Sequence, residues 1–451
     1  MSTLLIRNTA VLVTMDEDRH EIANGGLFIR DGWIEHVGDS RALPAHADEV
    51  VDLSGHMIIP GMVNTHHHLF QTLDRACPAC QSPTLVEWLK ALYPRWEKLT
   101  PADVKLATEI GLAELALSGC TTVADHHYLW PNGNRAEDQF EVADRTGLRF
   151  HLGRGFQTVG IDQGGFAPRS LTEDGDAALH DCERVVQKFH DRSRGAMRRV
   201  FIAPSSVRTV SPEYLRQSAD LARRLEVGFH MHLGETLAEI DFTRQKFQCR
   251  PAELAEQLGC VGDNTWYAHG VHLDDADMAI LRRHRSGICH CPCSNLILAS
   301  GIAPIQRYRN AGLTIGLGVD GAASNDSSNI MAELRQAFLL SRVSTTAPLL
   351  AMTAREALEI ATIGGAKLLG RDDIGRLAPG YAADFAAVRL DRLPLLGAED
   401  PVASLVCCAI GNVDHSWVHG RRIVCDGTAL NCDTGALVAQ LKARAGRLLP
   451  A

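Results

Sequence analysis

Apolar and β-branched residues along this chain gather in short runs, and the pattern between the runs changes twice. Near the N-terminus, residues 4–14, 27–38 and 50–60 read as strands, with Asp31-Gly32 as a turn between strand-like runs. From about 61 to 370 the runs alternate with helical stretches. Strands are expected at 61–65, 120–125, 148–153, 199–204, 226–231, 265–269, 286–290 and 314–319. Helices are expected at 101–117, 212–225, 251–258 and 274–284, several with proline in the first turn and the last capped by Asp274. Strand-like runs then return at 382–388, 413–418 and 422–427, before a closing helix over about 436–448. Eight strands with helical crossovers predict an α/β chain built on a (β/α)8 TIM-like barrel. The two chain ends are expected to pair into a small β-sandwich domain. The expected division is 1–60 and 371–451 for that domain, the latter with the closing helix, and 61–370 for the barrel.

Composition narrows the class. The chain has 451 residues, 45% hydrophobic and 22% charged, with a formal net charge of −9. No basic tract offers a surface for nucleic acid. No apolar run approaches the ~20 residues of a membrane helix. The N-terminus lacks a signal-peptide layout, so a cytoplasmic location is expected. Thirteen cysteines, an odd number, point to reduced thiols. Cys77-Pro78-Ala79-Cys80 and Cys289-His290-Cys291-Pro292-Cys293 each lack a second well-spaced pair, so they read as small buried hydrophobes rather than a zinc site.

In a barrel of this kind the chemistry sits at the C-terminal ends of the strands. His66 and His68 end the first strand two residues apart and face the same way, while His67 points elsewhere. His232 ends the fifth strand, His269 the sixth and Asp320 the eighth. His66, His68, His232 and Asp320 form a candidate metal set with room left for a water. Glu235, three residues beyond His232, is assigned proton transfer. His269 is assigned to polarising the water or the developing oxyanion, with a fourth metal ligand as the other reading. The fourth strand, Phe201 to Ser205, offers no lysine to carry a bridging carbamate, so one ion is expected. Zn2+ suits three histidines and an aspartate, and Fe2+ is the alternative.

These motifs resemble the amidohydrolase superfamily, within its purine, pterin and triazine deaminase (chlorohydrolase) branch. The matching segments are Pro60-Gly61-Met62-Val63-Asn64-Thr65-His66-His67-His68, then His232-Leu233-Gly234-Glu235-Thr236, then His269, then Gly318-Val319-Asp320. The resemblance covers essentially the whole chain. It implies hydrolytic deamination at an sp² ring carbon by a metal-activated water. Glu235 would protonate the adjacent ring nitrogen, and Asp320 would pass the water's proton to departing ammonia. It also implies a homo-oligomer.

Within the branch, Leu69 to Leu73, Glu87-Trp88-Leu89, Leu92 to Trp96, Ser118 to Thr122 and Arg250 to Glu253 are similar to 8-oxoguanine deaminases. Asp320 to Asp326 is similar to these and to isoxanthopterin deaminases. Val86 and Ser205 stand where adenosine-type relatives carry a glutamate and a histidine, which disfavours such substrates. Ala203 to Arg208 departs from the pattern of the 8-oxoguanine subgroup. The expected substrate is a small amino-oxo heterocycle, 8-oxoguanine first. Pterins such as isoxanthopterin, guanine, and a triazine with a C–N or C–Cl bond are the alternatives. A non-catalytic metal- or ligand-binding barrel is the reading from another class. Gln71 can read a heterocycle edge, and Trp88, Tyr93 and Trp130 can stack on a flat ring. Arg154 and Arg208 can hold a carbonyl or enolate oxygen, and Ser324 and Asn325 can cap the substrate.

Overall fold

The computed structural model describes residues 2–81, 84–345, 348–408 and 411–448. The N-terminal strands are β1 (Thr3–Val13), β2 (Glu21–Arg30), β3 (Trp33–Asp39), β4 (Glu49–Asp52) and β5 (His56–Pro60). β2 and β3 form a hairpin whose two turn residues both have positive φ, 49° at Asp31 and 83° at Gly32. That geometry matches the right-handed twist of the paired strands. Gly61 hands the chain from β5 into the barrel. A Cβ there would lie 2.1 Å from Thr121 Oγ1, so only glycine passes at this point.

The barrel strands are β6 (Met62–Asn64), β7 (Cys120–His127), β8 (Arg149–Phe156), β9 (Arg198–Pro204), β10 (Phe229–Leu233), β11 (Thr265–His269), β12 (Gly287–His290) and β13 (Ile315–Leu317). Each pairs in parallel with its neighbours, and the ring closes where β13 meets β6. Helix starts follow local chemistry. Pro101 opens the helix Pro101–Leu117 behind a reciprocal Thr100–Asp103 cap, and Asp274 accepts the N–H groups of Ala276 and Asp277. A cap of this kind contributes about 1 kcal/mol.

The chain returns through β14 (Phe385–Arg389), β15 (His415–Val418), β16 (Arg421–Cys425) and β17 (Thr428–Ala429), and ends in the helix Thr434–Leu448. The β-unit from both chain ends is one mixed sheet of nine strands, because β5 pairs with β1 on one side and with β14 on the other. Leu4, Ile6, Leu27, Ile29, Ile58, Phe385 and Trp417 give it a core of its own. Arg149, at the start of β8, ties the barrel to this sheet. Its Nε lies 2.6 Å from Asp384 Oδ2 and its Nη2 3.0 Å from Oδ1, with both side chains fully buried. Removing one partner of such a pair strands a buried charge and costs about 3–5 kcal/mol.

A second apolar cluster roofs the C-terminal mouth of the barrel. Phe70, Trp88, Leu92, Tyr93 and Trp96 pack there with Tyr128, Leu129 and Leu298. The Phe70, Trp88 and Tyr93 rings meet Trp96 edge-on, at centroid distances of 5.3, 5.4 and 5.6 Å. The helix Leu85–Trp96 is thereby fixed over the barrel mouth. Neither Cys77/Cys80 nor Cys289/Cys291/Cys293 joins a metal-ligating group among the described residues. No described helix is long and apolar enough to cross a membrane.

Candidate active site

Three strand ends aim histidines at one point, and hydrogen bonds to their far nitrogens fix which ring nitrogen is bare. His68 Nδ1 lies 2.6 Å from the carbonyl of His126, and His232 Nδ1 lies 2.7 Å from that of Ser205. A carbonyl only accepts, so both Nδ1 atoms carry the proton and both Nε2 atoms present a lone pair. His66 is set by a two-step relay. His230 Nδ1 donates to the Trp266 carbonyl at 2.8 Å, which leaves His230 Nε2 to accept from His66 Nδ1, also at 2.8 Å. His66 Nε2 is then bare, buried and without a hydrogen-bond partner. Burial depresses the pKa of all these imidazoles, that of His68 to about 3, so they are neutral.

The bare nitrogens crowd each other and a carboxylate. His68 Nε2 lies 3.2 Å from His232 Nε2, and Asp320 Oδ1 lies 3.2 Å from His66 Nε2 and 3.3 Å from His68 Nε2. Asp320 is held in its acceptor form. Oδ2 takes the Ser294 hydroxyl at 2.6 Å and the Ser324 hydroxyl at 3.2 Å, and Oδ1 takes the Gly321 N–H at 2.7 Å. Lone pairs and a carboxylate facing one another at just over 3 Å repel, and a divalent cation among them removes the repulsion. The donor set therefore fits a metal. Two overlapping ligand groups, His66/His68/His126/His232 and His66/His269/Asp320, each bring their atoms within 4.8 Å of one another.

His269 and Asp320 both sit in the left-handed region, at φ 75° and 63°. Backbone strain in residues with a Cβ collects at functional sites. His269 Nδ1 donates to Asn295 Oδ1 at 2.9 Å, so its Nε2 also faces inward bare, 3.9 Å from Glu235 Oε2. Glu235 is buried and accepts from the Ser300 hydroxyl at 3.4 Å. Burial pushes its carboxyl up to about 7, with His232 and Ser300 opposing and the Asp320 charge adding to the rise.

These groups border a cavity of about 470 Å3, within the usual size for a small-molecule site. Of the substrate contacts expected from sequence, Gln71, Trp88, Tyr93, Arg208 and Ser324 line it. Gln71 Nε2 reaches the Tyr128 hydroxyl at 3.4 Å and its Oε1 has no partner. Neither Arg154 nor Asn325 borders the cavity. Glu173 and Asp181 occupy the Arg154 guanidinium, which also covers the Trp130 ring, and Trp130 too lies away from the cavity. Asn325 Nδ2 serves the Val319 carbonyl and, at 2.7 Å, Glu333 Oε1. His67 turns away to Ser328 Oγ at 3.0 Å, as the strand alternation expects.

Sequence reasoning assigned no role to His230, His126 and Asn295. His230 left a signal, since it stands two residues before His232 on the same strand and so faces the same side. If the relay sets His66, then His230→Phe loosens metal binding by about 10–100-fold. His230→Gln, which can accept from His66 and donate to Trp266 O, recovers most of it. Competition with a chromophoric chelator measures both, and equal affinities for the two variants refute the relay.

A model of the amidohydrolase family matches residues 57–423. The 8-oxoguanine deaminase of Pseudomonas aeruginosa is 43% identical over 452 residues, covering all of both chains. An isoxanthopterin deaminase from an unknown prokaryotic organism is 36% identical, covering 94% of this chain and 92% of its own. The zinc-complexed crystal structure of atrazine chlorohydrolase from Arthrobacter aurescens TC1 is similar with a TM-score of 0.94 at 29% identity, covering 99% of this chain and 100% of that one. A closed barrel, a cation-fitted nest of histidines at its mouth and a family match across most of the length converge on one conclusion: this chain belongs to the amidohydrolase family.

Proposed function

We propose that this protein is a zinc-dependent aminohydrolase acting on an amino-oxo purine, with 8-oxoguanine as substrate and uric acid and ammonia as products. The observation that carries the reading is the cluster of bare imidazole nitrogens around Asp320, with a protonatable Glu235 beside it in one cavity. The 43% identity to an 8-oxoguanine deaminase supports the choice of ring. All-nitrogen and carboxylate donors suit Zn2+, with Fe2+ the alternative. The resemblance also carries a cytoplasmic homo-oligomer, with residues 61–370 as its catalytic barrel.

When bound, the divalent cation supplies a Lewis acid that lowers the pKa of a water. The chain's own side chains manage the protons. With its bare Nε2, His269 accepts a hydrogen bond from the attacking water and orients it. Asp320 takes the proton that the water gives up. Glu235 keeps its proton near neutral pH and delivers it to the ring nitrogen beside the amino-bearing carbon. A C–O bond forms at that carbon, the C–N bond breaks, the proton held by Asp320 leaves with ammonia, and the new hydroxyl returns a proton to Glu235 as it becomes the product carbonyl.

The test is ammonia release from 8-oxoguanine, guanine, isoxanthopterin, adenosine derivatives and aminotriazines. The expected result is the highest kcat/KM on 8-oxoguanine. Preference for isoxanthopterin or a triazine would move the substrate while keeping the reaction. Stoichiometric zinc with no turnover of any compound would leave a binding protein.

A further inference from the structure

Arg208 differs from Arg154, the other arginine that the sequence offers for holding a substrate oxygen. The guanidinium of Arg154 is fully engaged by acids, whereas that of Arg208 has no ion pair and no hydrogen bond among the described residues, and its Nε is buried without a partner. It is held by its faces instead. The Phe166 ring lies 4.2 Å from its central carbon and the Phe242 ring 5.1 Å. Stacking of this kind fixes the plane of the guanidinium and leaves its N–H edge free. Glu239 is close enough to act through its charge, but its two oxygens already accept the N–H groups of Gly234, at 3.0 Å, and Glu235, at 3.3 Å.

The backbone beneath Arg208 is fixed as well. Its N–H donates to Ser206 Oγ at 3.3 Å, and that hydroxyl also meets Thr209 Oγ1 at 3.0 Å. Val207 and Val210 anchor the turn in the core. The same loop begins at Ser205, whose carbonyl sets the tautomer of His232. One short segment therefore couples the metal cluster to a stacked, unanswered cation in the wall of the same cavity.

We propose that Arg208 is a specificity-determining residue whose guanidinium receives an acceptor oxygen carried by the substrate ring away from the carbon that loses its amino group. The inference rests on the oxopurine reading above. In 8-oxoguanine that oxygen is the carbonyl of the five-membered ring. Guanine carries a C–H there, which would leave the donors of Arg208 unpaired in a half-buried site.

The test compares metal-loaded wild type, Arg208→Met and Arg208→Lys, with melting temperature and metal content measured on each. The ratio of kcat/KM for 8-oxoguanine over guanine is expected to fall on the order of 10²-fold in Arg208→Met. Arg208→Lys recovers only part of it, because a point charge lacks the planar fork. Inhibition by uric acid should weaken relative to inhibition by xanthine, which reads binding without turnover. A ratio within about threefold of wild type in Arg208→Met overturns the assignment. Wild type that releases ammonia from neither purine, but does so from another heterocycle, overturns the oxopurine reading and this inference with it. That outcome is visible without any variant, so the two failures are distinguishable.

Discussion

Glu235→Gln is expected to lower kcat by about 10²–10⁴-fold while the protein keeps its metal. The carboxyl lies 3.9 Å from His269 Nε2 and its hydrogen bond is to Ser300, so its loss leaves the imidazole donors and Asp320 in place. Gln preserves the shape and the bond from Ser300 but has no proton to give at neutral pH. The same substitution should stabilise the metal-free protein. Burial raises this carboxyl from an ordinary value of 4.5 to about 7. Below pH 4.5 it is protonated in folded and unfolded chains alike, and the substitution is neutral by linkage. Between 4.5 and 7 the unfolded chain releases a proton that the folded chain retains, so native stability falls as pH rises. Above 7 the folded protein bears the full cost of a buried charge, about 3 kcal/mol at about 1.36 kcal/mol per unit. Thermal unfolding of the metal-free proteins at about pH 4 and about pH 8, together with metal content and ammonia release, checks both halves. Turnover within about threefold of wild type would remove Glu235 from proton transfer.

Asp320→Ala and His232→Ala are expected to lose the metal and the activity together. Each removes a donor from the point where the bare nitrogens meet. Asp320→Ala also removes the carboxylate oxygen shared by the Ser294 and Ser324 hydroxyls and takes a negative charge from the cluster. Affinity should fall by more than about 10²-fold, beyond what loss of an outer hydrogen bond costs. Wild type treated with a chelator should match the variants and recover on adding Zn2+, whereas the variants should not. A metal-free Asp320→Ala protein at full activity would end the mechanism.

The barrel was legible because its strands are short apolar runs separated by capped helices, and β7 and β11 begin at the residues where those runs begin. The ligands were legible because alternation along a strand decides which of His66, His67 and His68 face inward. What lay hidden depends on contacts between elements distant in sequence. The tautomers of His68 and His232 are set by carbonyls at the ends of neighbouring strands, which no local pattern reveals. Arg154 and Arg208 look alike in sequence, each close to a strand end, and only folding brings Glu173 and Asp181 to the first and phenyl rings to the second. The roof as a whole was hidden for a similar reason, since its aromatic residues come from a 3-10 turn after β6, a helix and the residue after β7.

The positive φ angles at His269 and Asp320 have a mechanical meaning. A residue with a Cβ in that conformation stores roughly 1–3 kcal/mol. An open sheet would let the strand end unwind and release it. Here the N–H of Asp320 is clasped by the carbonyl of His66 at 3.1 Å, and Gly270, next to His269, is clasped by Leu233 at the same distance. A ring of strands has no free edge toward which either end can slip, so the tension stays wound into the backbone and keeps both side chains cocked toward the centre.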